Sequence, residues 1–522
     1  MTDRHSVILI KNGRVFDLDG DTDQPPAADV LIAAGKIAAI EPGLAEKLKS
    51  GGTHPALKGT GVGTVIDAKD KLVVPGFINA HYHSHDVLLK GCFETIPLEH
   101  WVLAALPPSY PKRSRDEVRL RTLLGAFECL RSGMTTVQDL LTIYPWDEDH
   151  VDATLEAYEQ IGIRAVFACQ IGDVTGFKTV PFWEEMVPAE VQKGMTGAVE
   201  PFGTDVDLVD LVADVMRKRR NRHPRISWAL GPTSPERCTP RLLERLGELA
   251  RKEKVPIYTH LYESKAMTLI ARQLFRDRDQ GSLINYMERT GILGPQTSLA
   301  HSVWLLQDEI DKLAATGTNV VLNPVGNLKT KSGVAPIRRL LDAGVNVALG
   351  SDNCSCSDAQ NMFQAMKMFT TLAAVSDPEQ GAPTARDALH AATRAGARTA
   401  GREAEWGALK PGMAADLSLV DLTDPSFVPM NSAARQLVYT ECGRAVDTVL
   451  VDGQVVMRDR KLTMVDEEAL RREIEGVMKV LRKDIDQVAS RNVKLFGYLD
   501  QVVRRIWAED IGTNRYVANG LG

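Results

Sequence analysis

Apolar and polar residues alternate along this chain in two different ways. From residue 6 to about 72, short β-type runs at 6–10, 29–33, 36–40 and 64–67 are separated by turn signals such as Asn12-Gly13 and Gly51-Gly52. Runs of this length punctuated by turns predict strands of a small β-sandwich. From residue 73 to 401 the pattern changes. Eight apolar strand-like runs, at 73–83, 135–140, 163–170, 226–231, 255–260, 297–301, 319–323 and 346–350, alternate with helix-like stretches. Such alternation predicts a parallel sheet wrapped by helices, and eight units are the number that a (β/α)8 TIM barrel requires. The helices carry their own punctuation. Ser114-Arg-Asp-Glu117 is a capping box that opens a run ending near Gly133, and Gly344 closes the helix that precedes it.

The β pattern returns after about residue 401, at 407–421 and 446–453. Residues 467–488 then form a charged amphipathic pattern that predicts a helix, opening a C-terminal extension over 467–522. Its last part, with Phe496, Tyr498 and Trp507, reads as a helix packed on the chain's own surface, with a subunit contact as the alternative.

Composition narrows the class. The chain has 522 residues, 44% hydrophobic and 25% charged, which suits a large soluble catalytic domain with an accessory one. Lys and Arg number 62 against 68 Asp and Glu, a net charge of −6 with no basic block, so neither a nucleic-acid nor an anionic-membrane partner is expected. The N-terminal apolar stretch is too short for a signal peptide and no later run approaches a membrane span. Seven scattered cysteines read as a reduced, cytoplasmic protein.

The candidate chemistry sits at the ends of the predicted strands. His81-Tyr82-His83 closes the first run, and residues two apart in a strand project to one side, so two imidazoles aim at one point while Tyr82 faces away. Later runs end in His260-Leu-Tyr-Glu263, His301 and Asp352, residue types that complete a metal site. In a barrel, C-terminal strand ends are where active sites lie.

Taken in order, the stretches Pro75-Gly-Phe-Ile-Asn-Ala-His-Tyr-His83, His260-Leu-Tyr-Glu263, Ala300-His-Ser-Val-Trp-Leu305, Asn323-Pro-Val-Gly-Asn327 and Gly350-Ser-Asp352 resemble the amidohydrolase superfamily. The resemblance spans about Ile8 to Glu467 and is closest to the branch of aminohydrolases and triazine or guanine hydrolases. It implies a composite sandwich domain built from residues 1–72 and 402–466, with the barrel over 73–401. It further implies one divalent ion, Zn²⁺ or in second place Fe²⁺, held by His81, His83, His260 and Asp352. Two-metal members use a carboxylated lysine on strand 4, and residues 226–235 contain no lysine, so a single ion is expected.

The same resemblance gives roles to the remaining residues. Asp352 takes the proton of the attacking water, Glu263 protonates the leaving nitrogen, and His301 hydrogen-bonds the water or the developing oxyanion. His85 is expected to line the pocket, Asn327 to contact substrate, and Glu94, His100 and Trp101 to form a specificity wall after strand 1. Cys354 and Cys356 read as small residues beneath the pocket. The expected activity is hydrolytic deamination of an amino-substituted N-heterocycle. The alternatives are amide, urea or carbamate hydrolysis, or displacement of a halide or thiol, at the same site. A non-enzymatic scaffold of the same fold is a third reading, disfavoured because every ligand position is filled. A small-molecule substrate and a homo-oligomer complete the expectation.

Overall fold

The structure, a computed structural model, describes residues 7–57, 61–195, 207–376 and 381–516. The extreme ends of the two terminal segments assigned from sequence, 1–6 and 517–522, lie outside these residues.

Both ends of the chain meet in one nine-stranded sheet. Along its path run Lys461–Leu462, Gln454–Arg458, Val446–Val451, Leu417–Asp421, Lys71–Pro75, Ile8–Val15, Ala27–Ala33 and Lys36–Glu41, with Thr64–Asp67 added beside Ile8–Val15. The seam between the N- and C-terminal parts is antiparallel, with Leu417 opposite Pro75 and Asp421 opposite Lys71. Strand residues on one side of the sheet, Ile10, Val30, Ile32, Leu417 and Leu450, are fully buried, which is the reward for alternating apolar positions.

The apolar run at 73–83, read above as one strand, is two. It breaks at Gly76, where a side chain would stand within 2.7 Å of Thr135 Cβ. The first part, Lys71–Pro75, belongs to the nine-stranded sheet and only Phe77–His83 turns into the parallel strands. The border set at residue 72 therefore moves to Gly76. Every residue of Leu72–His83 is buried, so hydrophobicity alone carries no mark of the turn.

The parallel strands follow in chain order: β1 (Phe77–His83), β2 (Met134–Leu141), β3 (Arg164–Ile171), β4 (Ile226–Trp228, continued by Gly231–Pro232), β5 (Ile257–Leu261), β6 (Thr297–His301), β7 (Asn319–Leu322) and β8 (Val347–Leu349, continued by Asp352–Asn353). They form two hydrogen-bonded groups. A bridge from Leu230 to Ile257 links β4 to β5, and Asp352 and Asn353 pair with Tyr82 and His83, bringing the last strand against the first. Their runs of Val, Ile, Leu and Ala are buried on both faces, as strands covered by helices must be.

Among the helices around the site are these three. α1 (Leu98–Ala105) follows β1, and α2 (Arg115–Arg131) starts where Ser114 accepts a hydrogen bond from the Glu117 amide, as its capping signal predicts. α3 (Glu467–Ala508) is 42 residues long, twenty residues beyond the end read from its charged half. Its second half buries Leu495, Leu499, Val502, Val503 and Ile506 at helical spacing, so the segment read as a separate helix packed on the chain's own surface is continuous with the charged half. Among the described residues no helix is long and apolar enough to cross a membrane.

At Gly350 β8 comes close to β1. A Cβ there would press on the Asn323 side chain and lie 2.7 Å from the Cβ and carbonyl oxygen of His81. Gly350→Ala is expected to destabilise by about 1–3 kcal/mol, the usual penalty of overpacking. Gly476→Ala in α3, where a Cβ meets nothing within 4 Å, should be neutral or stabilising. Thermal unfolding of the two variants measures the difference, and equal Tm values would contradict the packing argument.

Candidate metal and active site

The end of β1 turns His81 and His83 to one side, with their Nε2 atoms 3.2 Å apart. His260, near the end of β5, brings its Nε2 to 3.2 Å from that of His83. Asp352 completes the group, its Oδ1 3.4 Å from His81 Nε2 and 3.5 Å from His83 Nε2.

The opposite edges of two of these rings are fixed by backbone. His83 Nδ1 lies 2.5 Å from the Leu140 carbonyl oxygen and His260 Nδ1 2.5 Å from that of Thr233. A carbonyl only accepts, so both Nδ1 atoms carry the proton and both Nε2 atoms present lone pairs. Burial pushes the pKa of His81, His83 and His260 down, which keeps the rings neutral. Two lone pairs facing each other at 3.2 Å repel, and a cation between them turns that repulsion into coordination. Three neutral imidazoles, one carboxylate and backbone partners behind the rings are a donor set that fits a divalent transition ion.

Beside this cluster stand Glu263 and His301. His301 donates from Nδ1 to Asn327 Oδ1 at 2.8 Å, while its Nε2 is buried, unbonded and 3.6 Å from Glu263 Oε2. Burial pushes the Glu263 carboxyl up to about 7, with His301 opposing and Asp352, Glu99 and Glu236 adding to the rise. The backbone is strained here. Tyr262, His301, Ser302 and Asp352 have φ of 47°, 70°, 50° and 62°, a region that non-glycine residues rarely enter. Hydrogen bonds from Ser302 N to Leu261 O (2.8 Å) and Val303 N to Tyr262 O (3.1 Å) hold the bend that aims these side chains.

A cavity of about 850 Å³ opens over the cluster, and His83, His85, Trp101, His260, Glu263, His301 and Asp352 all line it. His81 completes the cluster from behind. His85 is buried, 3.0 Å from Asn353 Nδ2, and burial lowers its pKa to about 3. Three expectations for substrate contacts change. Asn327 does not reach the cavity; its amide oxygen is used behind His301. Glu94 is exposed and outside the lining, because the chain turns into α1 after it. His100 bonds Asp500 of α3 at 3.0 Å instead of facing the cavity. Cys356 lies beneath Asp352 as read, its thiol 3.4 Å from Oδ2.

Two carboxyls in the lining, the half-buried Glu99 and the buried Glu236, escaped the sequence reading. Glu99 accepts from Ser264 Oγ at 3.0 Å, and Glu236 accepts from Ser234 Oγ at 2.6 Å with its other oxygen unpartnered. Glu99 was legible by helical spacing, since Glu99, Val102, Leu103 and Leu106 share one face and all line the cavity. Glu236 was marked only by standing four residues past Pro232, the end of β4.

Comparison with known proteins accords with this geometry. The model of the amidohydrolase family matches residues 72–456. The chain is 30% identical over 483 residues to a 5'-deoxyadenosine deaminase of Methanosarcina mazei, covering 92% of this chain and 99% of that protein. It is 31% identical over 455 residues to a 5-methylthioadenosine/S-adenosylhomocysteine deaminase of Thermococcus onnurineus, covering 87% and 95%. The crystal structure of an adenosine deaminase from Xanthomonas campestris with bound zinc superposes with a TM-score of 0.78 at 25% identity, over 91% of this chain and 98% of that one. The fold is thus α/β of the TIM-barrel type, and the His/Asp cluster is suited to a metal ion.

Removing one donor should release the ion. His260→Ala and Asp352→Ala are each expected to lower bound metal by at least about tenfold in affinity, whereas His85→Ala retains it. Elemental analysis after dialysis measures this, and metal retained in full by His260→Ala would refute the donor set.

Proposed function

The chain belongs to the amidohydrolase family, and from that premise we propose that it is a mononuclear metal-dependent aminohydrolase releasing ammonia from an amino-substituted N-heterocycle. The observation that carries the reading is the pairing of a buried, high-pKa Glu263 with a cluster of neutral imidazoles and a carboxylate in one cavity. The deaminase names of the relatives support ammonia as the leaving group. In this reading the parallel strands are a (β/α)8 barrel and the nine-stranded sheet a composite β-sandwich domain.

Zn²⁺ is the proposed ion, supported by the neutral nitrogen-rich donor set and by the zinc in the Xanthomonas deaminase. One ion is proposed because β4 and the segment after it, residues 226–235, lack the lysine that a bridged pair needs. When bound, such an ion supplies hydroxide at neutral pH by lowering the pKa of water to roughly 7.

The protein's own groups complete the reaction. Asp352 accepts the proton of the attacking water while Oδ1 stays with the imidazoles. His301, whose Nδ1 donates to Asn327, keeps an Nε2 lone pair free to accept a hydrogen bond from the attacking water, and this nitrogen donates to the developing tetrahedral oxygen once it has taken up a proton. Glu263, whose pKa of about 7 keeps its protonated form available at neutral pH, transfers its proton to the departing nitrogen, so that ammonia and not amide ion leaves.

A screen of aminated purines, pyrimidines, triazines and pterins for ammonia release tests the activity, run beside aryl amides and ureas. Glu263→Gln should keep its metal and lose about 10² to 10⁴ in rate on amine-leaving substrates, the usual contribution of a positioned acid. A substrate whose leaving group departs unprotonated should lose much less. Equal losses on both substrates would assign Glu263 to the water or to binding.

A further inference from the structure

The matched family region ends at residue 456, and α3 begins at Glu467. We infer that α3 is a wall of the active site and that the cavity it closes takes a heterocycle carrying a bulky, largely apolar substituent in preference to the bare ring. The inference rests on the aminohydrolase reading for the chemistry but on separate observations for the wall.

The helix lies across the strand ends and is tied down on several sides. Asn492 Nδ2 donates to the Leu103 carbonyl oxygen of α1 at 3.0 Å. Lys265, just after β5, donates to the Trp507 carbonyl oxygen at 2.8 Å. Beyond the helix, Arg515 reaches the Leu305 carbonyl oxygen at 2.5 Å and its own carbonyl oxygen accepts from Val334 N at 2.8 Å, in the segments that follow β6 and β7. With Leu499, Val502, Val503 and Ile506 at 1% exposure or less, the strap is packed as core and is not a loose cover.

From this position α3 presents Leu495, Gly497, Tyr498 and Leu499 to the same cavity that His83, His260 and Glu263 line. The lining divides by origin. The strand ends and the segments just after them supply polar groups such as His260, Glu263, His301 and Asp352. The helices laid over them supply mostly apolar groups, Leu98, Val102, Met267 and Leu499 among them, with Glu99, Arg491 and Lys494 interspersed. A volume of about 850 Å³ lies near the top of the range for small-molecule sites and far exceeds what a bare one- or two-ring base fills. An amino-heterocycle directed to the polar end leaves the helical part for an apolar substituent, whose burial there is favourable.

The test compares the amino-heterocycle selected by the ammonia screen, or adenine if none is selected, with the same ring carrying a benzyl group on a ring nitrogen. Affinity is read by calorimetry and turnover by ammonia release on the full-length, metal-loaded enzyme. The benzyl compound is expected to bind at least about tenfold more tightly, the scale on which an apolar pocket discriminates. Gly497→Phe narrows the chamber; a Cβ at Gly497 meets no atom within 4 Å, and replacing a helical glycine does not weaken the helix. It should lower the benzyl-to-bare affinity ratio about tenfold or more, and Tyr498→Ala should lower it through lost contact. Val493→Ala, at a position 72% exposed and outside the lining, should leave the ratio unchanged. Equal affinity for the two compounds, failure of both to bind, or a ratio unmoved by both wall variants with metal retained would overturn the inference. Tight, wall-dependent binding without ammonia release would uphold the wall and refute the aminohydrolase reading.

Discussion

The convergence of imidazole lone pairs on one point is the constraint around which this structure is built. Two of the rings are held from behind by backbone carbonyls, so neither can rotate to relieve the repulsion without abandoning a buried hydrogen bond. A site that is unfavourable without a cation and favourable with one is selective by construction. The residues that create it come from β1, β5 and β8, which are far apart in the chain, so the site exists only when the parallel strands are in register.

That register is secured outside the cavity. Arg164, at the start of β3, makes two hydrogen bonds to Asp416, at 2.9 and 3.0 Å, beside the seam strand of the nine-stranded sheet. Both side chains are buried, and Asp416 also accepts from the Asp452 amide at 2.6 Å. Breaking such a pair leaves an uncompensated charge in the interior, so it fixes one relative placement of sheet and strands. Closer to the site, Asp139 of β2 accepts from the Ser84 hydroxyl (2.7 Å) and from the Tyr158 hydroxyl (2.6 Å), anchoring the turn after His83. The strained residues at the ends of β5, β6 and β8 persist because this framework leaves them no alternative.

Electrostatics and packing then divide the labour within one cavity. Burial raises the Glu263 carboxyl and lowers His83 and His260, while the imidazoles around Asp352 hold its carboxyl well below the usual carboxylate range, so the proton sits on Glu263 and not on the ligating groups. The C-terminal helix belongs to both tasks, since it is core on one side and cavity wall on another.

What the sequence alone determined was whatever depends on local spacing. The His-x-His at a strand end, the carboxylate three residues past His260, the capping signal of α2 and the eight strand-like runs are all short-range facts, legible because strand and helix periods dictate which side chains share a face. Tertiary structure decided whatever depends on direction. The turn at Gly76 was invisible because both of its flanks are buried. Asn327 and Glu94 had plausible chemistry, but one was needed behind His301 and the other was left outside the cavity by the entry into α1. α3 became part of the site only through contacts between residues separated by hundreds of positions, such as Asn492 with Leu103 and Trp507 with Lys265. No local period encodes such a contact, because it is the packing of whole elements, not the pattern within any one, that decides which residues meet.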